Sequence, residues 1–71
     1  MIKWGVIGGG NMGRIFAESI KEVDNAELVS IASTNIKNLN SFGNNFKIQD
    51  NLRFNNYESI CKNDEIDAIY I

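Results

Sequence analysis

The sequence contains no histidine, no proline and only one cysteine among its 71 residues. Without histidine, the chain cannot form the dyads and triads in which an imidazole activates a serine or cysteine nucleophile. A single cysteine excludes an intramolecular disulfide. No apolar run reaches the roughly 18 residues that a membrane-spanning helix needs. No repeat or low-complexity linker divides the chain, so its length and composition fit one small domain.

The charge balance is slightly acidic, with a formal net charge of −2. A balance of this kind gives no basic face, which argues against nucleic acid as a partner. The N-terminus has no basic segment followed by an apolar stretch and a cleavage site, so no secretory signal is predicted. We therefore expect a cytoplasmic protein that binds neither nucleic acid nor a membrane.

Strand and helix patterns alternate along the chain. Strands are predicted at residues 2–7, 28–32, 52–54 and 66–71. The first helix is predicted from Asn11 to Val23, and the third opens at Asn55 as cap with Glu58 as its reciprocal acid. This alternation predicts the α/β class: a partial Rossmann fold with a parallel sheet of about four strands in the order 3-2-1-4 and helices on both faces. The fourth strand would be an open edge, so we expect a homo-oligomer.

Apolar residues at helical spacing predict which side of each helix faces the sheet. In the first helix they are Met12, Ile15, Phe16, Ile20 and Val23, with Arg14, Glu18, Lys21 and Glu22 opposite, and in the second they are Ile36, Leu39, Phe42 or Gly43, and Phe46. Cys61 falls on the apolar side of the third helix, where a buried and unreactive thiol is expected.

A glycine turn follows the first strand. Gly8, Gly10 and Gly13 match the pattern G-x-G-x-x-G after a strand and at the start of a helix. The first glycine permits a tight turn, the second lets a pyrophosphate approach the backbone, and the third lets the helix pack against the sheet. The amides near Gly10, Asn11 and Met12 would point at the phosphates. A turn without a ligand is the alternative, but the β-α-β context favours dinucleotide binding.

The end of the second strand indicates which nucleotide is bound. An NAD-specific site usually has Asp or Glu there, and this chain has Ser33-Thr34-Asn35 instead. Ser33 and Thr34 could donate hydrogen bonds to a 2′-phosphate, and Lys37 could supply charge. The loop therefore favours NADP over NAD and leaves both open. Alternatively, Ser33 and Thr34 simply begin the next helix.

No catalytic or metal-binding set emerges from the remaining residues. Asp64, Glu65 and Asp67 form an acidic turn without a further ligand cluster, which is typical of a solvated loop.

Several segments together resemble the N-terminus of the glucose-fructose oxidoreductase / inositol dehydrogenase / MocA family. The resemblance covers the whole chain and is most specific in the final strand, Asp67-Ala68-Ile69-Tyr70-Ile71. It also includes the run from Lys3 to Gly8 that leads into the glycine turn, and the segments Phe16-Ala17-Glu18-Ser19-Ile20, Ala26-Glu27-Leu28-Val29-Ser30-Ile31-Ala32-Ser33, Tyr57-Glu58-Ser59-Ile60 and Glu65-Ile66. Family members carry Ser-Arg or an acid after the second strand, and here Thr34 stands where the Arg would be.

The resemblance implies a nicotinamide-dependent oxidoreductase of sugars, polyols or related carbonyl compounds. It also implies that residues 1–71 are the N-terminal part of a dinucleotide-binding domain. The family's catalytic Lys and its substrate domain would then lie outside this chain, so no catalytic residue is assigned here. We expect the chain alone to be inactive and to bind the cofactor weakly or not at all. The alternative is a non-enzymatic nucleotide-binding module, such as a redox sensor or regulatory subunit.

Overall fold

The chain folds into four strands and three α-helices that alternate. The computed structural model describes residues 1–8 and 10–71, with only the backbone of residues 11 and 12. In chain order the elements are β1 (Ile2–Ile7), α1 (Asn11–Ile20), β2 (Ala26–Ala32), α2 (Ile36–Asn45), a short 3-10 turn (Asp50–Leu52), β3 (Arg53–Phe54), α3 (Tyr57–Cys61) and β4 (Ala68–Tyr70). No helix in these described residues is long and apolar enough to cross a lipid bilayer.

The four strands form one parallel sheet in the order β3-β2-β1-β4. This confirms the predicted order. The order follows from right-handed crossovers that add β2 and β3 on one side of β1 and then return to add β4 on its other side. Asp67 fastens β4 to β1, because the Lys3 amide donates to its Oδ2 at 2.9 Å and its own amide donates to the Lys3 carbonyl at 2.8 Å. β1 therefore lies inside the sheet between β2 and β4.

Helices cover both faces of the sheet, as predicted. Successive residues of a strand point to opposite faces, and Gly5 and Val6 show which helix covers each. A Cβ on Gly5 would meet Ile60 of α3, whereas Val6 meets Gly13 of α1. The core on the α1 and α2 face is built from buried apolar side chains: Val6, Ala17, Ile31, Leu39, Phe42, Ile48 and Leu52.

The two longer helices differ from the predicted pattern at their ends. α1 ends at Ile20 rather than at Val23, because the chain leaves the helix through turns in which Glu22 and Val23 donate to the carbonyls of Ser19 and Ile20. Val23 is consequently 51% exposed. Ile15 and Ile36 are also exposed, whereas Ala17 is fully buried. Ala17 therefore lies on the side of α1 that faces the core, and Ile15 lies on the solvent side.

The third helix corrects two predictions. Its cap is Asn56, not Asn55: the Asn56 Oδ1 accepts from the Ser59 amide at 2.8 Å. Glu58 therefore lies in the first turn one residue too early to close a reciprocal cap, and it pairs instead with Lys62. Cys61 is exposed rather than buried, because α3 is a short helix and only Ile60 among its residues is buried.

An arginine closes the end of α2. Arg53 packs its side chain over Gly43, where an added Cβ would overlap the Arg53 Nε. The same Nε donates to the Ile48 carbonyl at 2.9 Å, and Nη1 donates to Asn44 Oδ1 at 3.1 Å. The guanidinium thus binds the carbonyl of the segment that leaves α2 and the side chain of α2's last turn.

Gly5→Ala is expected to destabilise the chain by about 1 kcal/mol, because the added methyl overpacks the α3 face. The new Cβ would lie 2.9 Å from Ile60 Cδ1 and 3.3 Å from Ile66 Cγ2. Urea unfolding measures the loss. Ile60→Val removes the Cδ1 atom, so the same Gly5→Ala change should be less destabilising in that background. An equal loss of unfolding free energy in both backgrounds would show that the added methyl does not press on Ile60 Cδ1.

β4 is expected to associate with a second copy of the chain. Among the described residues its only strand partner is β1, so its other side carries unpaired backbone groups. Such an edge is a template for pairing with another chain. Sedimentation velocity over a concentration series should show growth in mass, and a monomer at the highest concentration would refute the expectation. As a further check, Ile69→Pro, which removes one edge amide, should reduce the association.

Candidate functional site

Gly8 ends β1 in a conformation that favours glycine. Its φ is +114°, a value that L side chains rarely adopt. Its amide still donates to the Ala32 carbonyl of β2 at 2.9 Å, so the chain turns away only after this last sheet bond. The predicted tight turn continues through Gly9, which lies outside the described residues, so the turn itself stays a prediction.

Gly13 lies where α1 approaches the sheet most closely. It is buried, and a Cβ added there would stand 3.2 Å from Val6 Cγ1. A larger residue would move the start of α1 away from β1. The third glycine of the motif therefore sets the depth at which α1 sits on the sheet.

Gly10 differs from the other two glycines. It caps the N-terminus of α1 with extended backbone angles (φ −80°, ψ −164°) that any residue adopts. It is exposed, and no described atom outside its chain neighbours lies within 4 Å of the Cβ position. Neither conformation nor packing within the described chain requires glycine here. Among the described atoms, the space in front of its Cα is open.

The start of α1 is suited to an anion. The first amides of a helix have no intrahelical partner, and the dipole places partial positive charge there. No acidic residue lies in the first turn, and Gly10 has no side chain to cap it. The side chains of Asn11 and Met12 lie outside the described part of the structure, so their assignment to the phosphates stays a prediction.

The glycine turn lies at the switch point of the sheet. The chain builds outward from β1 through β2 to β3 and then returns to place β4 on the other side of β1. In open α/β sheets the crevice outside the carboxyl ends of the strands at this reversal is where ligands bind. The carboxyl ends are joined laterally, because Gly8 donates to Ala32 and the Ser33 amide donates to the Phe54 carbonyl at 2.9 Å.

The loop after β2 is ordered by its own polar groups. Ser33 is only 3% exposed, and its hydroxyl donates to the Asn35 carbonyl at 3.3 Å and accepts from the Asn35 amide at 3.2 Å. Asn35 caps α2, since its Oδ1 accepts from the Asn38 amide at 3.1 Å. The helix therefore begins from Asn35 rather than from Ser33 or Thr34. Thr34 and Lys37 are exposed beside this cap.

Arg14 is a further candidate for the binding site. The sequence pattern placed it only on the outer side of α1. Its Nη2 donates to the Ser41 Oγ of α2 at 3.2 Å, so the side chain bridges the two helices. Helical spacing cannot reveal a contact between two helices. A signal was nevertheless present, because the sequence has no Asp or Glu from residue 28 to residue 49 to pair with a cation.

A separate cavity lies at the other end of the sheet. It has a volume of about 230 Å³ and is lined by residues that include Ile20, Lys21, Ala26 and Phe46. Lys21 is paired with Glu18 and lies over the Phe46 ring, 4.9 Å from its centroid. This cavity opens beside the amino end of β2, away from the helix N-termini that favour anions, so it is not part of the candidate site.

Comparison with known proteins identifies the family. The sequence profile of the Gfo/Idh/MocA oxidoreductases, described as an oxidoreductase family with an NAD-binding Rossmann fold, matches residues 2–71. The chain belongs to this family. The resemblance drawn from the glycine turn and the final strand is thereby confirmed, as is the Rossmann fold class. No curated protein sequence is significantly similar to the chain.

Solved structures of dehydrogenases share the architecture. The chain superposes with a TM-score of 0.83 on the WlbA dehydrogenase from Bordetella pertussis, in complex with NADH and UDP-GlcNAcA, at 25% identity over 96% of the chain. The same score is found for myo-inositol dehydrogenase from Lactobacillus casei, in complex with NAD(H) and myo-inositol, at 27% identity over 97% of the chain. A 3-ketoreductase from Actinomadura kijaniata, in complex with NADP, also scores 0.83, at 24% identity over 99% of the chain, which supports the fold alone. The chain spans about a fifth of each of these proteins (20%, 20% and 22% in that order).

Proposed function

We propose that this chain binds the ADP portion of a nicotinamide dinucleotide for an oxidoreductase that acts on a sugar, a polyol or a related carbonyl compound. Membership of the Gfo/Idh/MocA family supports the cofactor class and the reaction type. The substrate class is supported by the molecules named with two of the similar structures, UDP-GlcNAcA and myo-inositol.

The observation that carries the proposal is the open space at Gly10. A pyrophosphate needs close approach to the backbone at a helix N-terminus. Gly10 offers this approach with an exposed Cα and no described neighbour within 4 Å, and the first turn of α1 has no acid to repel the phosphates. The donors present there, backbone amides, suit phosphate oxygens. The residues therefore fit the dinucleotide.

The bound cofactor would supply the hydride chemistry through its nicotinamide ring. The role of this chain is binding and orientation: Gly8 turns the backbone, Gly10 admits the pyrophosphate, and Gly13 sets the position of α1. The adenosine end would lie at the β2–α2 loop beside Thr34 and Lys37, with Ser33 holding the loop in shape. In this proposal residues 1–71 are the first part of the dinucleotide-binding domain. The reacting groups and the substrate domain then lie outside them, and the chain alone does not transfer hydride.

Titration of the ¹⁵N-labelled chain with NAD and with NADP tests this assignment. NMR is suited to it because we expect the chain alone to bind more weakly than about 10 μM, roughly −7 kcal/mol. The amide resonances of Gly8, Gly10 and Thr34 should shift together and reach saturation. The amide resonance of Cys61 in α3 should not shift. Of the two expectations for the chain alone, weak binding or none, the proposal requires weak binding. Absent shifts, or shifts that cluster at the cavity near Lys21, would therefore overturn it.

A further inference from the structure

Two cationic side chains border the seam between α1 and α2. The Arg14 Nη2 lies 3.2 Å from the Ser41 Oγ. Lys37 precedes Ser41 by four residues in α2, and residues at this spacing are neighbours on one side of a helix. Lys37 therefore lies on the same side of α2 as Ser41, the residue that Arg14 of α1 contacts. Lys37 is in the first turn of α2, beside the loop that follows β2.

Neither Arg14 nor Lys37 forms an ion pair among the described residues. Residues 28–49, which include the β2–α2 loop and α2, contain no Asp or Glu. The first acid of α1 is Glu18, whose carboxylate pairs with Lys21. The other ion pairs among the described residues join Arg53 to Asp50 and Lys62 to Glu58. Two uncompensated like charges repel, so a bound anion would be favourable at this seam.

The neutral groups of the loop are less available than the sequence suggests. The Ser33 hydroxyl is buried and hydrogen-bonded to both backbone groups of Asn35. The Asn35 side-chain oxygen is bound by the Asn38 amide. Recognition of an anion beside this loop therefore falls to exposed Thr34 and to the two cations.

We propose that Arg14 and Lys37 select NADP over NAD by binding the 2′-phosphate of the adenosine ribose. This inference rests on the proposed function, since it assumes that the adenosine end lies at the β2–α2 loop. The Arg14 guanidinium carries five donors in a planar fork, of which the structure uses one for Ser41, and this fork suits phosphate oxygens. Ser41 acts as a positioning residue that holds the guanidinium against α2.

The probes are adenosine 2′,5′-bisphosphate and adenosine 5′-monophosphate, titrated into the labelled chain by NMR. Both carry the adenosine half, which the proposed function places at the glycine turn and the β2–α2 loop, and they differ by the 2′-phosphate alone. The unaltered chain should bind the bisphosphate at least tenfold more tightly. Arg14→Gln and Lys37→Gln should each remove most of that preference and leave monophosphate binding within twofold.

Two further variants separate direct contact from general charge. Lys47→Asn removes the same charge beyond the other end of α2 at a residue with φ +56°, which Asn tolerates, and should keep the preference. Ser41→Ala keeps both charges but removes the hydroxyl that holds the Arg14 guanidinium. It should weaken the binding of the bisphosphate and leave the binding of the monophosphate unchanged.

Four outcomes decide the matter. A tenfold preference that Arg14→Gln and Lys37→Gln remove, and Lys47→Asn does not, supports the inference. Equal binding of the two probes overturns the selection and leaves the proposed function standing. A preference that survives both Gln variants, or that Lys47→Asn also abolishes, overturns the role of this pair. If neither probe binds and neither NAD nor NADP binds, the proposed function is overturned and the inference with it.

Discussion

Gly10→Ala is expected to weaken dinucleotide binding by at least tenfold, about 1.4 kcal/mol, while the stability of the fold stays within about 0.5 kcal/mol of the original. The alanine methyl meets no described atom within 4 Å, and the backbone angles suit any residue. Its only expected collision is with the pyrophosphate that approaches the Cα. NMR titration with NADP gives the affinity and urea unfolding the stability.

Ser19→Ala is the control for Gly10→Ala. Ser19 is exposed near the other end of α1, so this variant should keep both affinity and stability. Gly8→Ala provides a contrast: its Cβ also meets nothing, but its φ of +114° makes any side chain strained, and stability should fall by about 1–2 kcal/mol. Full binding by Gly10→Ala would show that the ligand does not approach this backbone.

Gly43→Ala is expected to destabilise the chain by about 2–3 kcal/mol. The total stability of a 71-residue chain is about 4–11 kcal/mol, so this is a large share. The added Cβ would overlap Nε of Arg53 and lie 2.6 Å from its Cζ. The guanidinium is held by two hydrogen bonds, and the side chain is only 15% exposed. The gain of about 1 kcal/mol from placing alanine in a helix does not offset such an overlap.

A double-mutant cycle with Arg53→Ala isolates the cause. Once the arginine is truncated, the alanine at position 43 meets no guanidinium, and its helix propensity should make it neutral or stabilising. In urea unfolding, the loss caused by Gly43→Ala should therefore disappear or become a gain in the Arg53→Ala background. An equal loss of stability in both backgrounds would show that the alanine does not collide with the Arg53 guanidinium.

The sheet and its order could be predicted from the sequence, because four apolar runs alternate with helical patterns and right-handed crossovers leave few arrangements. The ends of the helices could not. Val23 continues the apolar period of α1, yet the chain has already turned, and periodicity carries no information about where a helix stops. Asn55 and Asn56 are equivalent as caps until the backbone is known. The exposure of Cys61 depends on how much of the short α3 reaches the sheet.

The candidate site divides in a similar way. The roles of Gly8 and Gly13 follow from local rules, since each is required by conformation or by packing against β1. Three-dimensional contacts were needed to show which residue of the β2–α2 loop begins α2: Asn35 is the cap, and Ser33 is buried against it. The bridge from Arg14 to Ser41 joins residues of different helices, so it could not be read from spacing within either one.

The paired hydrogen bonds between Lys3 and Asp67 have a consequence for the order of folding. They join residues 64 apart in sequence, whereas β1 and β2 are linked by a single short crossover. A longer loop loses more entropy on closure and slows the contact it closes. β1 should therefore first form as the edge of a β1–β2 pair and become interior only when β4 arrives. In native-state hydrogen exchange, the amides that bond β4 to β1 should open at lower free energy than those between β1 and β2.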